Sequence, residues 1–242
     1  MLLLFDIDGT LLLGATDAHR DALHAALLEV HGVDTRGMRS PLAPAGRTDA
    51  EIARAILLTA GVSAERIDER ADAVRESCSR IYARQATDDL SHTVLPGIAA
   101  LLEWLSGHDQ VTLGLVTGNY EAVARRKLER AGLGRYFSGA PGGFGSDHED
   151  RAALPGIARR RAGTRGHPYA REQTLVIGDT PRDIACARAD GLRCVAVTTG
   201  PYRAEELTGA DAVAADAKRL RAVLAEQLVA TSPWASGTAS AS

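Results

Sequence analysis

Five short apolar runs punctuate the sequence: "LLLF" (2–5), "VTLGLV" (111–116), "TLVIG" (174–178), "RCVAVT" (193–198) and "DAVAA" (211–215). Each is too short for a helix and shows no polar alternation, the pattern of strands buried on both faces as in a parallel sheet. The segments between the later runs have helical character. "YEAVARRKLERAGL" (120–133) carries apolar residues at helical spacing and stops near Gly132; "DTPRDIACARADGL" (179–192) opens on an acid, has Pro181 in its first turn and stops at Gly191. Strand–helix–strand alternation predicts an α/β fold with a parallel sheet and right-handed crossovers.

One interval breaks the alternation. About a hundred residues separate the first two runs, and 16–31, 48–60, 64–86 and 96–106 all read as helices. A crossover needs one helix, so most of this stretch must form something else. The expectation is a helical cap over residues 14–90, standing over one end of a core made of 1–13 and 91–230, with "TVLPGIAALLEWLSG" (93–107) returning the chain to the sheet. The small, polar segment 231–242 is expected to be a disordered tail.

The polar residues fall where the strands end. The first run leads into Asp6-Ile7-Asp8-Gly9-Thr10, the second into Thr117-Gly118-Asn119, and "TLVIG" into Asp179-Thr180-Pro181-Arg182-Asp183. Carboxyl ends of parallel strands share one edge, where open α/β sheets hold ligands. Asp6 and Asp8, two apart in an extended segment, can point the same way at a separation of roughly 6–7 Å; Asp179 and Asp183, four apart at a helix start, share a face. Four ionised carboxylates need a cation, and Mg²⁺ is the expected one because it takes oxygen ligands. Gly9 and Thr10 suit a tight loop offering backbone N–H groups to an anion, and Thr117 adds a hydroxyl donor. A single Asp after a strand is more often a turn former or helix cap. Three strand ends carrying such groups together point instead to phosphoryl chemistry.

Other features narrow the field. A formal net charge of −3 gives no nucleic-acid footprint. No apolar run approaches the ~18–20 residues of a membrane span, and "MLLLF" is halted by Asp6 without a basic leader, so a cytoplasmic protein is expected. Cys78, Cys186 and Cys194 form no C-x-x-C pair and read as reduced thiols. "GAPGGFG" (139–145) lacks nucleotide-binding spacing and reads as a loop near the site; no phosphate-binding G-x-x-x-x-G-K-[ST] exists.

Taken together, "DIDGT", "LGLVTGN" and "VIGDTPRDIACARADG" resemble the haloacid dehalogenase superfamily, in its phosphatase branch with a helical cap, of the phosphoglycolate phosphatase and β-phosphoglucomutase kind. The resemblance covers about residues 1–12 and 93–217 and implies a Rossmann-like core. It implies that Asp6 is the nucleophile, and that Asp8 protonates the leaving oxygen, later activates water, and binds Mg²⁺ through its backbone carbonyl. Thr117 would hold the phosphoryl group, Asp179 and Asp183 the metal. Gly9, Thr10, Gly118 and Asn119 would border the substrate. The dehalogenase branch lacks an acid at the position of Asp8, so phosphatase is favoured. The family's usual lysine before a later helix is missing. Only two of 28 basic residues are lysines: Lys127 sits mid-helix ten residues after Thr117, and Lys218 lies beyond the last motif. Arg151, opening a helix at about the right place, is expected to take that role, with His148 as a weaker candidate. Arg47, before the cap-forming Thr48, resembles a cap residue that reaches toward substrate; His19 reads as a plain exposed histidine.

The expected function is a Mg²⁺-dependent phosphatase acting on a small phosphorylated metabolite through an aspartyl-phosphate. The alternatives are a phosphosugar mutase of the same superfamily and, from another class, a non-catalytic phospho-acceptor such as a receiver domain. Receiver domains are about half this length, lack the insertion and keep a phosphate-pairing lysine. Substrate identity and oligomeric state are not written in the sequence.

Overall fold

A computed structural model describes residues 1–38, 42–164 and 166–230. The tail 231–242 lies outside the described residues. Among the described residues the strands are β1 (Leu2–Phe5), β2 (Thr112–Thr117), β3 (Gly142–Phe144), β4 (Thr174–Gly178), β5 (Arg193–Val197) and β6 (Ala212–Ala214), in one parallel sheet of order β3-β2-β1-β4-β5-β6. The helices are α1 (Asp17–His31), α2 (Asp49–Thr59), α3 (Ala64–Gln85), α4 (Ile98–Ser106), α5 (Glu121–Arg130), α6 (Gly134–Phe137), α7 (Leu154–Ala162), α8 (Pro181–Ala189) and α9 (Ala217–Ala230). This is a Rossmann-like α/β architecture.

β1 shows why the uninterrupted apolar runs are strands. All four of its side chains have no exposed surface. Leu3 and Phe5 join the apolar layer containing α4, α5 and α9; Leu2 and Leu4 join the layer containing α7 and α8. A strand sandwiched in this way has no polar face to show. β1 is central, and its neighbours on the two sides are β2 and β4. The crevice where strand order reverses therefore lies at its carboxyl end, the usual ligand position in such sheets.

β3 corrects the reading of "GAPGGFG" as a loop. Residues 142–144 pair with Leu115–Thr117 as an edge strand. Two glycines in three residues erase the hydrophobic signal, and packing explains one of them: a Cβ on Gly143 would lie 2.2 Å from the Leu154 carbonyl oxygen at the start of α7.

α1–α3 bury an apolar cluster of their own, including Leu23, Leu27, Ile56, Val74 and Tyr82, and it continues into α5 through Tyr120 and Val123. α2 starts where the sequence predicts. The Thr48 hydroxyl accepts from the Glu51 N–H at 3.1 Å and donates to the Glu149 carbonyl at 2.6 Å, tying the helix to the loop after β3. Arg130 in α5 donates to the carbonyls of Ala83 and Ala86 at the end of α3, at 2.9 Å each. No helix among the described residues is long and apolar enough to cross a membrane.

Candidate active site

The carboxyl edge of the sheet gathers acids that are almost wholly desolvated. Asp6, one residue past β1, is 4% exposed; Asp179, one residue past β4, is 1% exposed; Asp183, in the first turn of α8, is fully buried. One oxygen from each lies within 4.8 Å of the others. The sequence suggests an acid opening α8, but its cap is Thr180, which forms a reciprocal capping box with Asp183. Thr180 donates to Asp183 Oδ2 from its N–H at 2.9 Å and from its hydroxyl at 2.7 Å. With Thr180 as the cap, the Asp179 carboxylate is left to face the other acids.

Space for these carboxylates is cleared by glycines. Gly9 has φ +86°, and a Cβ there would meet Asp179 Oδ2 at 2.2 Å; one on Gly200 would meet the same oxygen at 1.7 Å. Gly118 is excluded from substitution by backbone, since its Cβ would lie 1.9 Å from the Arg47 carbonyl oxygen.

Arg151 supplies the cation within the acid cluster. Its guanidinium pairs with Asp183 and approaches Asp6 Oδ1 at 3.3 Å, while its buried Nε has no hydrogen-bond partner. His148 is elsewhere: it is exposed, and its Nδ1 accepts from the Asp150 N–H at 2.9 Å. Arg151 nonetheless leaves the cluster short of positive charge. Burial, only partly offset by Arg151 and reinforced by Asp183 and Asp8, pushes the Asp6 carboxyl up to about 6. Burial, followed by the repulsion of Asp6 and Asp183, pushes Asp179 up to about 8. Three buried oxygen donors deficient in counter-charge form a donor set suited to a hard divalent cation.

Asp8 behaves differently from the other three acids, and the expected four-carboxylate group is corrected to three. Both Asp8 oxygens accept from Lys127 Nζ, at 2.9 and 2.7 Å, and Oδ2 also accepts from Asn119 Nδ2 at 2.9 Å. Burial opposes its charge, but Lys127 and Asn119 outweigh it and hold the carboxyl below its usual range. Lys127, read from sequence as badly placed, is therefore a site neighbour with no exposed surface. A usable signal existed: the buried stripe of α5 is Val123, Ala124, Lys127 and Leu128, and a lone lysine on such a stripe requires a partner. His19 carries the same signal on α1. It is buried rather than exposed, and its Nε2 lies 3.0 Å from Asp49 Oδ2.

Two expected anion contacts also change. The Gly9 N–H donates to the Leu12 carbonyl at 2.7 Å and the Thr10 N–H to Ile7 at 3.3 Å, so both close the turn instead of facing a guest. The Thr10 hydroxyl donates to Asp179 Oδ1 at 3.2 Å. Thr117 lines the cavity beside Asp6 and Asp8. Its buried hydroxyl oxygen accepts from Asn119 Nδ2 at 2.9 Å, which leaves the hydroxyl proton for another acceptor. Arg47 lines the same cavity, but its guanidinium is engaged with Glu51 and, through Nε, with the Ala43 carbonyl at 3.0 Å.

A central parallel strand ending in a buried carboxylate, with a second acid two residues on and an acid pair after a neighbouring strand, defines a class of hydrolases. The chain belongs to the haloacid dehalogenase-like hydrolases, whose family model matches residues 3–188. Among relatives, a phosphoglycolate phosphatase of Pseudomonas syringae pv. tomato is 30% identical over 202 residues, spanning 82% of this chain and 70% of that protein. Similar solved structures include a hydrolase from Pseudomonas syringae (TM-score 0.64, 24% identity, 93% of this chain and 97% of that one). CbbY from Rhodobacter sphaeroides, solved in complex with phosphate, superposes with a TM-score of 0.63 at 20% identity, over 90% of this chain and 95% of that one.

Proposed function

We propose that the protein is a Mg²⁺-dependent phosphatase that hydrolyses a small phosphomonoester through an aspartyl-phosphate on Asp6, with residues 14–90 acting as its cap. The observation that carries this reading is the setting of Asp6: a buried carboxylate beside Arg151, ringed by Asp179 and Asp183, at the mouth of a strand-end crevice. The phosphatase name of the 30%-identical relative supports the same class of substrate.

Asp6, Asp179 and Asp183 would hold Mg²⁺, with the Asp8 backbone carbonyl as a further ligand. When bound, the ion supplies the positive charge that offsets these carboxylates and the phosphoryl oxygens. Arg151 and the Thr117 hydroxyl orient the phosphoryl group. An Asp6 oxygen attacks phosphorus, the ester P–O bond breaks, and the leaving oxygen takes a proton from Asp8. Asp8 then removes a proton from water, which attacks phosphorus and releases phosphate from Asp6. Lys127 favours the charged form of Asp8, the form that serves as base toward water.

The test is phosphate release from p-nitrophenyl phosphate and a metabolite panel. Turnover should need Mg²⁺ and fall by more than about four orders of magnitude in Asp6→Asn. Equal turnover in that variant would refute the assignment. A sugar 1-phosphate converted to its 6-phosphate without phosphate release would identify a mutase instead.

A further inference from the structure

The cavity above the acid cluster encloses about 410 Å³, within the range of about 300–1,000 Å³ that accommodates drug-sized ligands. It is built of two unlike parts. The floor is the strand-end edge with Asp6, Asp8, Thr117 and Arg151. The walls facing it carry an apolar patch formed by Leu12, Leu13, Leu23, Ile52 and Ile56. Leu13 is 55% exposed, more than any other large apolar side chain among the described residues except Val229. An exposed leucine at the mouth of a cavity is apolar surface that a ligand can cover.

The basic side chains on those walls already have partners. Arg20 pairs with Asp17 at 2.9 Å and with Asp21 at 3.4 Å. Arg47 pairs with Glu51, His19 with Asp49, and His24 Nδ1 lies 2.7 Å from the Thr35 hydroxyl. Asp49 itself lines the cavity. A ligand bringing a second anionic group would enter beside that carboxylate and would compete with Asp17, Asp21 and Glu51 for Arg20 and Arg47. A ligand with one phosphoryl end and an apolar remainder meets no such conflict.

Resting on the phosphatase reading above, we propose that this cavity selects phosphate monoesters of apolar, uncharged alcohols and discriminates against esters that carry a second anionic group. Leu13 and Ile52 are the specificity-determining contacts, and the phosphoryl end sits on the acid and arginine floor.

The experiment compares ethyl, butyl and hexyl phosphate with 2-phosphoglycolate, using the full chain and Mg²⁺. Each methylene covered by the wall should raise kcat/KM about fourfold, so hexyl phosphate, longer by four methylenes, should exceed ethyl phosphate by about 250-fold. 2-Phosphoglycolate should fall below ethyl phosphate. Leu13→Ser, a change at an exposed position, should cut the hexyl-to-ethyl ratio several-fold. A flat alkyl series, or 2-phosphoglycolate preferred over hexyl phosphate, overturns the proposal. Calorimetric binding of the same four esters to the Asp6→Asn protein with Mg²⁺ separates the two readings. The predicted affinity order without turnover of any ester by the wild type would sink the phosphatase reading alone. Turnover accompanied by equal affinities would sink the selectivity alone.

Discussion

The carboxyl edge of the sheet and the α1–α2 wall opposite it are built on opposite plans. The edge concentrates like charges in a nearly dry place and leaves Asp6 and Asp179 short of counter-charge. The wall pairs its charges and presents leucine and isoleucine. Unbalanced electrostatics suits a group that must bind an ion and react, whereas balanced charges and apolar surface suit recognition of a body that does not react. The contrast teaches that chemistry and selectivity reside in different parts of this chain, and changes to each should be felt differently.

The largest effect on stability is expected at the join between the two. Lys127→Met leaves Asp8 partly buried without its cation and should lower unfolding stability by about 3–5 kcal/mol, measured by denaturant titration. Adding Asp8→Asn should recover much of that loss. Arg151→Lys keeps a charge but loses the planar guanidinium beside Asp6 and Asp183. A fall in kcat of about 10²–10³ is expected, with the ranking of esters unchanged if selectivity belongs to the wall.

Next comes the charge deficit of the edge. Asp6 and Asp179 titrate higher in the folded chain than in the unfolded one, so the folded state binds more protons through the interval from about 4 to about 8. In chelator, stability should therefore fall as pH rises through that interval. Saturating Mg²⁺ at a hundred times its Kd should add about 2.7 kcal/mol near pH 8. Thermal melts with and without the ion measure both; a chelated protein that gains stability with pH would contradict the charge deficit. The smallest effect belongs to the wall side: Thr48→Ala removes the α2 cap and the tie to Glu149 and should lower stability by about 1 kcal/mol, shifting KM more than kcat.

The same contrast explains what could be read from the sequence. β1, β2 and β4 and the acids after them are written locally, as apolar runs stopped by Asp or Thr, so the crevice and its acids were legible. The absence of the family's usual lysine points to Arg151, which lies beside Asp6 and Asp183. β3 was not legible, because Gly142 and Gly143 carry no apolar signal and owe their strand to pairing with β2. Lys127, ten residues past Thr117 along the chain, and His19, expected to be exposed, both lie on the buried stripes of their helices, which motif spacing does not reveal. The inward-turned N–H groups of Gly9 and Thr10 depend on how the turn closes on Ile7 and Leu12. The charge pairing along the cavity wall depends likewise on which residues of α1 and α2 face each other across space.

The central claim is that Asp6 carries the phosphoryl group during turnover. Wild-type protein is mixed with Mg²⁺ and a hydrolysed phosphomonoester, quenched in acid within the turnover time, reduced with borohydride and digested for mass spectrometry. An acyl phosphate on Asp6 is reduced to the alcohol, so the account predicts homoserine at position 6 and at no other acid. Turnover with an unmodified Asp6, or with the label on Asp8, Asp179 or Asp183, would contradict it.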